Sequence, residues 1–300
     1  MRIGIFGGDT GERTIDDVVA DARAAEQDGF ASYALPQIFG LDAMGVLAVV
    51  GREVPRIQLE TGVVPTYGRH PVTMAQQALT VQAASGGRFS LGIGLSHQIV
   101  IESMFGLSFD KPLRHMREYL AVLMPLLREG KADVDGETIS THVGIAAAER
   151  HETPVLVAAL GPKMLELAGT VTDGTVTWMT GPATLAEHTV PTITAAAERA
   201  GRPAPQIVTS LPICVTADVD AARTRAASEF QIYGFLPSYR ARLDREGAAG
   251  PGDVAIAGDE ATVTKALGQL TDAGVTEYVA SIFGTSAERD ETRALLKSML

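Results

Sequence analysis

Several things are scarce or missing in this chain, and each absence removes a class of protein. The 300 residues hold one cysteine, Cys214, so no intrachain disulfide can form and nothing points to an oxidising compartment. Asparagine is absent, which removes any N-glycosylation acceptor. No apolar run approaches the roughly 18 residues of a membrane span. The opening run, residues 1–8, is too short for a secretory signal. A cytoplasmic protein without a membrane partner is expected. Basic charge is also short: 25 Lys and Arg against 36 Asp and Glu leave a formal charge of −11. Non-specific nucleic-acid binding rests on basic patches, so nucleic acid is not an expected partner.

Familiar chemical signatures are missing too. Gly92-Ile93-Gly94 runs on to His97 without a third glycine, so the dinucleotide fingerprint fails. No glycine-rich run ends in a Lys-Ser or Lys-Thr pair. Gly94-Leu95-Ser96-His97-Gln98 lacks the second glycine of a nucleophile elbow. The six histidines show no paired ligand spacing, so no metal is expected.

What is present is ordinary globular composition: 46 % hydrophobic and 20 % charged residues, with 31 glycines. This excludes a disordered or collagen-like chain. The pattern repeats as apolar run, polar turn, amphipathic helix. Strands are predicted at 3–6, 32–35, 57–64, 88–94, 154–159, 175–179, 207–215 and 275–283. Helices are predicted to start near Thr14, Asp42, Pro71, Pro112, Pro162, Ala183, Asp218 and Glu260, followed by a helical tail from about residue 287. Thr14 followed by Asp17 is a capping-box-like start, and proline opens several of the other helices. The Asp135-Gly136 step predicts a hairpin insertion near 133–144. A Gly-, Ala- and charge-rich stretch near 239–259 is expected to be a flexible loop. Eight strands alternating with helices fit an α/β fold, a (β/α)8 TIM barrel over residues 1–300 as one domain. A doubly wound sheet is the rival.

In a barrel the chemistry sits at the C-terminal ends of the strands. Those ends read Gly7-Gly8-Asp9, Pro36-Gln37, Gly62-Val63-Val64-Pro65, Gly94-Leu95-Ser96-His97, Ala159-Leu160-Gly161-Pro162-Lys163 and Trp178-Met179-Thr180. Asp9 and Glu102 are the only acids near the ring, which argues against a hydrolase built on two carboxylates. Many glycines and free backbone amides suit a flat organic cofactor lying against main chain. Ala159-Leu160-Gly161-Pro162-Lys163 ends a strand and starts a helix, so its free N–H groups and the Lys163 ammonium could bind a phosphate; an ordinary strand-to-helix turn is the plainer alternative.

Thr61-Gly62-Val63-Val64-Pro65, Arg69-His70-Pro71 and Gly87-Arg88-Phe89-Ser90-Leu91-Gly92-Ile93-Gly94 together resemble the core of the bacterial luciferase-like oxidoreductases. Ala159-Leu160-Gly161-Pro162-Lys163-Met164-Leu165 with Asp173-Gly174 resembles the second half of that pattern. The nearest branch is the one that uses the deazaflavin coenzyme F-420. The resemblance implies a bulge with a non-prolyl cis bond at Gly62–Val63, behind the cofactor ring. It implies cofactor contacts from Gly62, Val63, Val64, Arg69, Ser96, Ala159, Leu160, Gly161, Pro162 and Lys163. It also implies a homodimer. Where F-420 sugar-phosphate dehydrogenases carry an Asp-His pair after the second strand, this chain has Pro36-Gln37. Where they place a Glu after the fourth strand, it has His97. That departure argues against sugar-phosphate oxidation.

His97 and Gln37 are the candidate catalytic residues: His97 titrates near neutrality and could relay a proton, or it could simply bond its loop. Trp178 and Met179 could wall a pocket for a small-molecule substrate, or pack in the core. Arg114, His115 and Arg117 read as a solvated face, and His142, His151 and His188 carry no signal. The expected activity is hydride transfer between coenzyme F-420 and a small organic substrate. An FMN-dependent monooxygenase and a non-catalytic flavin-binding protein are the alternatives.

Overall fold

A computed structural model describes residues 1–148 and 150–300. Eight parallel strands follow one another around a barrel: β1 Arg2–Phe6, β2 Ser32–Leu35, β3 Gln58–Thr61, β4 Phe89–Gly94, β5 Val155–Val157, β6 Gly174–Trp178, β7 Gln206–Ser210 and β8 Glu277–Ile282. Each pairs with the next in sequence, and β8 pairs back onto β1 through Arg2↔Glu277 and Ile5↔Ala280. That closure excludes the doubly wound alternative, whose sheet keeps two open edges. Among the described residues no helix is long and apolar enough to cross a membrane.

Helices form where caps and periodicity place them. Helix α1, Ile15–Asp28, starts on a reciprocal box in which Asp17 N–H donates to Thr14 Oγ1 and Thr14 N–H donates to Asp17. Asp42 caps α2, Ala43–Glu53, and His70 Nδ1 accepts from Val72 N–H at the start of α3, Pro71–Ser85. Pro112 opens α4, Pro112–Arg128, and Pro162 opens α5, Pro162–Val171. The expected hairpin is present, Lys131–Val134 against Thr141–Gly144.

Two expected strands break. The third ends at Thr61, bulges over the cis bond Gly62–Val63, and resumes as Val64–Pro65 beside β4. The seventh breaks at Leu211, whose carbonyl accepts from the buried Tyr278 hydroxyl at 2.8 Å. It resumes as Pro212–Val215, which pairs with a short strand, Ile256–Gly258.

The stretch expected to be a flexible loop near 239–259 is instead ordered structure. It holds the helices Pro237–Arg245 and Pro251–Val254 and the strand Ile256–Gly258. Prolines sit at the first position of both helices. Asp253 Oδ2 accepts from Ala249 and Gly250 N–H, and Leu236 and Tyr239 bury against Met179. Composition alone hid this, because the anchoring residues are spread thinly among Gly and Ala.

Inside the barrel the side chains form layers. The floor is polar: Arg2, Ser32, Glu60 and Glu277, with Glu277 bonded to both Arg2 and Ser32. Above it lies a small apolar layer of Ala34, Leu156, Val176, Val208 and Val279. Phe6 and Trp178 close over that layer, stacked at 5.7 Å and 16°.

Candidate active site

The ledge comes first, because its neighbours explain the glycines of β4. Gly62 N–H donates to the Leu35 carbonyl at 2.8 Å, and Gln37 N–H donates to the Val63 carbonyl at 3.2 Å. Thr61 Oγ1 bonds both the Gly92 carbonyl and the Gly92 N–H at 2.8 Å. A Cβ on Gly92 would lie 2.0 Å from the Thr61 carbonyl, and one on Gly94 would lie 2.9 Å from Val63. The Gly-x-Gly of β4 therefore makes room for the bulge of β3. Gly62 and Val63 are half-buried, while Val64 is buried.

Beside the ledge, Arg69 bonds Asp42, and its Nη2 donates to Gln37 Oε1 at 3.4 Å. Gln37 Oε1 also accepts from Ala43 N–H at 2.8 Å, so the oxygen of Gln37 is committed to the start of α2. Its Nε2 has one long contact, 3.5 Å to the Ile38 carbonyl, and remains able to donate. The guanidinium of Arg69, read as a possible counter-charge for the coenzyme, already has a carboxylate.

The β4–α4 loop carries Ser96 and His97. Ser96 has φ 60°, and Met179, past β6, has φ 53°. A residue with a side chain gives up about 1–2 kcal/mol in this left-handed region, which recurs at functional sites. His97 is half-buried, and burial pushes its pKa below the usual imidazole value. Its ring meets the Tyr239 ring at 5.8 Å and 61°.

The third part is the loop after β5. Ala159 is buried, Leu160 is half-buried, and Gly161, Pro162 and Lys163 are exposed. Gly161 has no side chain to cap α5, Pro162 has no N–H, and Met164 and Leu165 N–H donate to the Gly161 carbonyl at 3.1 and 3.0 Å, which leaves the Lys163 N–H at that helix start. Lys163 makes no hydrogen bond or ion pair among the described residues.

Across the mouth, Trp178 meets Phe230 at 5.6 Å and Tyr233 at 5.7 Å, and Tyr233 meets Tyr239 at 4.9 Å. Met179 is buried behind these rings. Trp178 Nε1 and Ser210 Oγ are buried without partners among the described residues, and the two residues are register partners.

Sequence reasoning missed several residues. Phe6, Tyr233 and Tyr239 help build the mouth, and the last two lie in or beside the stretch read as a loop; Pro237 at a helix start was the signal that could have found them. His115, read as solvated, turns inward. Its ring stacks on Tyr67 at 4.0 Å and its Nε2 bonds Thr66 Oγ1 at 3.0 Å. Among the described residues no group of three or more His, Cys, Asp or Glu side chains could hold a metal.

The chain is 29 % identical over 281 residues to the 5,10-methylenetetrahydromethanopterin reductase of Methanolobus tindarius, covering 93 % of this chain and 85 % of that one. Its fold superposes on the coenzyme F-420-dependent tetrahydromethanopterin reductase of Methanopyrus kandleri with a TM-score of 0.81, at 23 % identity and covering 99 % and 96 % of the two chains. It also superposes on the oxygenating constituent of 3,6-diketocamphane monooxygenase of Pseudomonas putida, in complex with FMN, with a TM-score of 0.78 at 16 % identity, covering 99 % and 96 %. The family model for luciferase-like monooxygenase matches residues 1–289, and with this match the chain belongs to that family.

Proposed function

We propose that the protein transfers a hydride between coenzyme F-420 and a small organic substrate. The observation that carries this reading is the order of three features around one rim: the ledge at 61–65 after β3, His97 after β4, and the exposed Gly161-Pro162-Lys163 start of α5 after β5. A flat ring with an anionic tail needs those supports in that order. The residues fit such a group, because Trp178 Nε1 and Ser210 Oγ are buried donors that lack acceptors. Its use by the Methanopyrus kandleri reductase supports the choice of coenzyme.

Bound there, the deazaflavin supplies hydride exchange. Gly62, Val63 and Val64 give the ring a bed of main chain and small side chains. Ser96, on the loop after β4, and Ala159, Leu160, Gly161, Pro162 and Lys163, at the start of α5, meet the more polar parts. Arg69, itself held by Asp42, and the Ala43 N–H hold the Gln37 oxygen still, which leaves its Nε2 to donate a hydrogen bond into the site. His97, neutral near pH 7 because burial lowers its pKa, accepts the substrate hydroxyl proton in oxidation and returns it in reduction. Phe6, Trp178, Tyr233 and Tyr239 exclude water and favour an apolar substrate.

Fluorescence-quenching titrations with F-420 and with FMN test the cofactor. Tight binding of F-420 alone is the expected result, and binding of neither sinks the proposal. With a turned-over substrate, His97→Gln should lower kcat about 100-fold. It should also abolish the acidic limb of the pH profile, which in the native protein lies below the ordinary imidazole range because burial lowers the His97 pKa. F-420 affinity should stay unchanged.

A second reading is an FMN-dependent monooxygenase, favoured by the family match and by the Pseudomonas putida structure. FMN binding with oxygen consumption on reduction would select it.

A further inference from the structure

The turn that follows the ledge is held from outside by one helix, at both of its ends. It runs through Thr66, Tyr67, Gly68 and Arg69, and Arg69 N–H donates to the Thr66 carbonyl at 3.3 Å. Gly68 has φ 82°, the left-handed value that the third residue of a type II turn demands. The turn links two parts of the site. At its start, Thr66 follows Pro65 of the ledge, and its N–H donates to the Gly94 carbonyl at the end of β4 at 2.8 Å. At its end, Arg69 donates to Gln37 Oε1 at 3.4 Å and bonds Asp42.

Helix α4 meets this turn with His115 and Tyr119, four residues apart and so on one face. His115 Nε2 bonds Thr66 Oγ1 at 3.0 Å, and the Tyr119 hydroxyl donates to the Arg69 carbonyl at 3.0 Å. Thr66 is 1 % exposed, so loss of the imidazole would strand a buried hydroxyl. His115 also sits inside a pile of rings. Its ring lies 4.0 Å from Tyr67 at 7° and 5.7 Å from Tyr119, and Tyr67 in turn lies 5.4 Å from Phe109. Phe109 belongs to the β4–α4 loop, the one that carries Ser96 and His97. Burial, opposed by the charge of Glu118, holds the His115 pKa below the usual imidazole value, so the stacked ring is neutral near pH 7. A phenylalanine would stack as well, but only a ring with a nitrogen both stacks on Tyr67 and bonds Thr66.

We infer that His115 is a positioning residue of the active site: it sets the end of the ledge through Thr66 and, through Tyr67 and Phe109, ties the ledge to the loop that carries His97. Tyr119 fixes the far end of the same turn, and with it the arginine that steadies Gln37. The consequence for catalysis rests on the proposed F-420 reading, whereas the grip on the turn does not. A ledge free to shift would misalign the cofactor ring against His97, and small misplacements of reacting groups cost rate steeply.

The experiment compares the native protein with His115→Phe, which keeps the stack and loses the bond, and with Thr66→Val, which removes the other partner. Thr66→Ser keeps the hydroxyl, and Arg117→Ala alters an exposed position of the same helix. Amide hydrogen exchange in the ligand-free protein is read at Thr66 and Arg69, and F-420 affinity by fluorescence quenching. His115→Phe and Thr66→Val should each speed exchange at Thr66 about tenfold and weaken F-420 about tenfold, near the effect of losing one buried hydrogen bond. Melting temperatures should move by less than about 4 °C. The two losses should not add in the double variant, because both break one bond. Thr66→Ser and Arg117→Ala should stay close to native. With a turned-over substrate, the loss should fall on kcat and leave the substrate KM unchanged. Unchanged exchange in His115→Phe would overturn the inference, and so would full additivity, or Thr66→Ser as impaired as Thr66→Val. Faster exchange with F-420 affinity and kcat intact would reduce the residue to a purely structural one and overturn it too. Should His115→Phe fail to fold, Thr66→Val against Thr66→Ser carries the same comparison. If the native protein binds no F-420, the functional reading falls, and exchange at Thr66 alone decides whether His115 holds the turn.

Discussion

The two ends of the barrel treat polar groups in opposite ways. At the floor the buried charges and polar groups are mostly partnered. Glu277 bonds Arg2 and Ser32, and Arg88 donates to the Ile57 and Gly51 carbonyls at 2.5 and 2.9 Å. Asp173 takes Arg202 at 3.0 Å and the Val155 N–H at 2.9 Å. At the mouth, Arg242 has no carboxylate, and Trp178 Nε1, Ser210 Oγ and His188 Nε2 have no partner among the described residues. Partnered polar groups at one end hold the fold, and unpartnered ones at the other are what a ligand would satisfy. The family-like run Gly87–Gly94 spans both jobs: Arg88 clamps the floor, while Gly92 and Gly94 admit the ledge.

Four substitutions break or sharpen this contrast. The largest effect is expected from Gly92→Ala, where the new Cβ meets the Thr61 carbonyl at 2.0 Å. It should cost about 3 kcal/mol of stability and weaken the cofactor as well, because it pushes on the ledge; a urea melt and a binding titration would show both. Arg88→Ala removes two hydrogen bonds at the opposite end. It should cost about 2 kcal/mol with cofactor affinity intact, and a change in affinity at fixed temperature would contradict the division between the ends.

Glu60 is the exception on the floor, since burial and the charge of Glu277 hold its pKa up near 8. The folded protein therefore keeps a proton that the unfolded chain has released. Stability should fall as pH rises from the ordinary carboxylate range through about 8, and be independent of pH below that range, where the contribution is fully present. Glu60→Gln should flatten that slope and gain on the order of 1 kcal/mol at pH 9. Denaturation midpoints across pH 5–9 test this, and a slope in the variant as steep as in the native protein would contradict the assignment. The smallest effect on stability belongs to the mouth. Trp178→Phe removes an unpartnered N–H while keeping a ring against Phe6, so stability should change by less than about 0.5 kcal/mol while cofactor or substrate affinity falls.

Much of this was readable beforehand where a residue acts through its immediate neighbours in sequence. Thr14 and Asp17 made their box, Pro71, Pro112 and Pro162 opened their helices, and a hairpin formed around the Asp135-Gly136 step. Arg69 shows the opposite case. A cation near a glycine-rich loop reads as a free anion ligand, but Asp42, far off in sequence, had already claimed it. His115 failed for the same reason: a polar residue on a helix defaults to solvent unless a distant element covers it. Tyr67 and Thr66 cover His115.

The order of amino acids alone determined the alternation of strand and helix, the caps, and the glycine positions that the ledge would need, since each depends on backbone propensity and on spacings of a few residues. Only closure of the barrel decided which charges found partners. It brought residues 2 and 277 together at the floor and residues 42 and 69 together at the mouth. Solvation and pairing depend on neighbours in space, and a linear pattern carries no record of those until the sheet has closed.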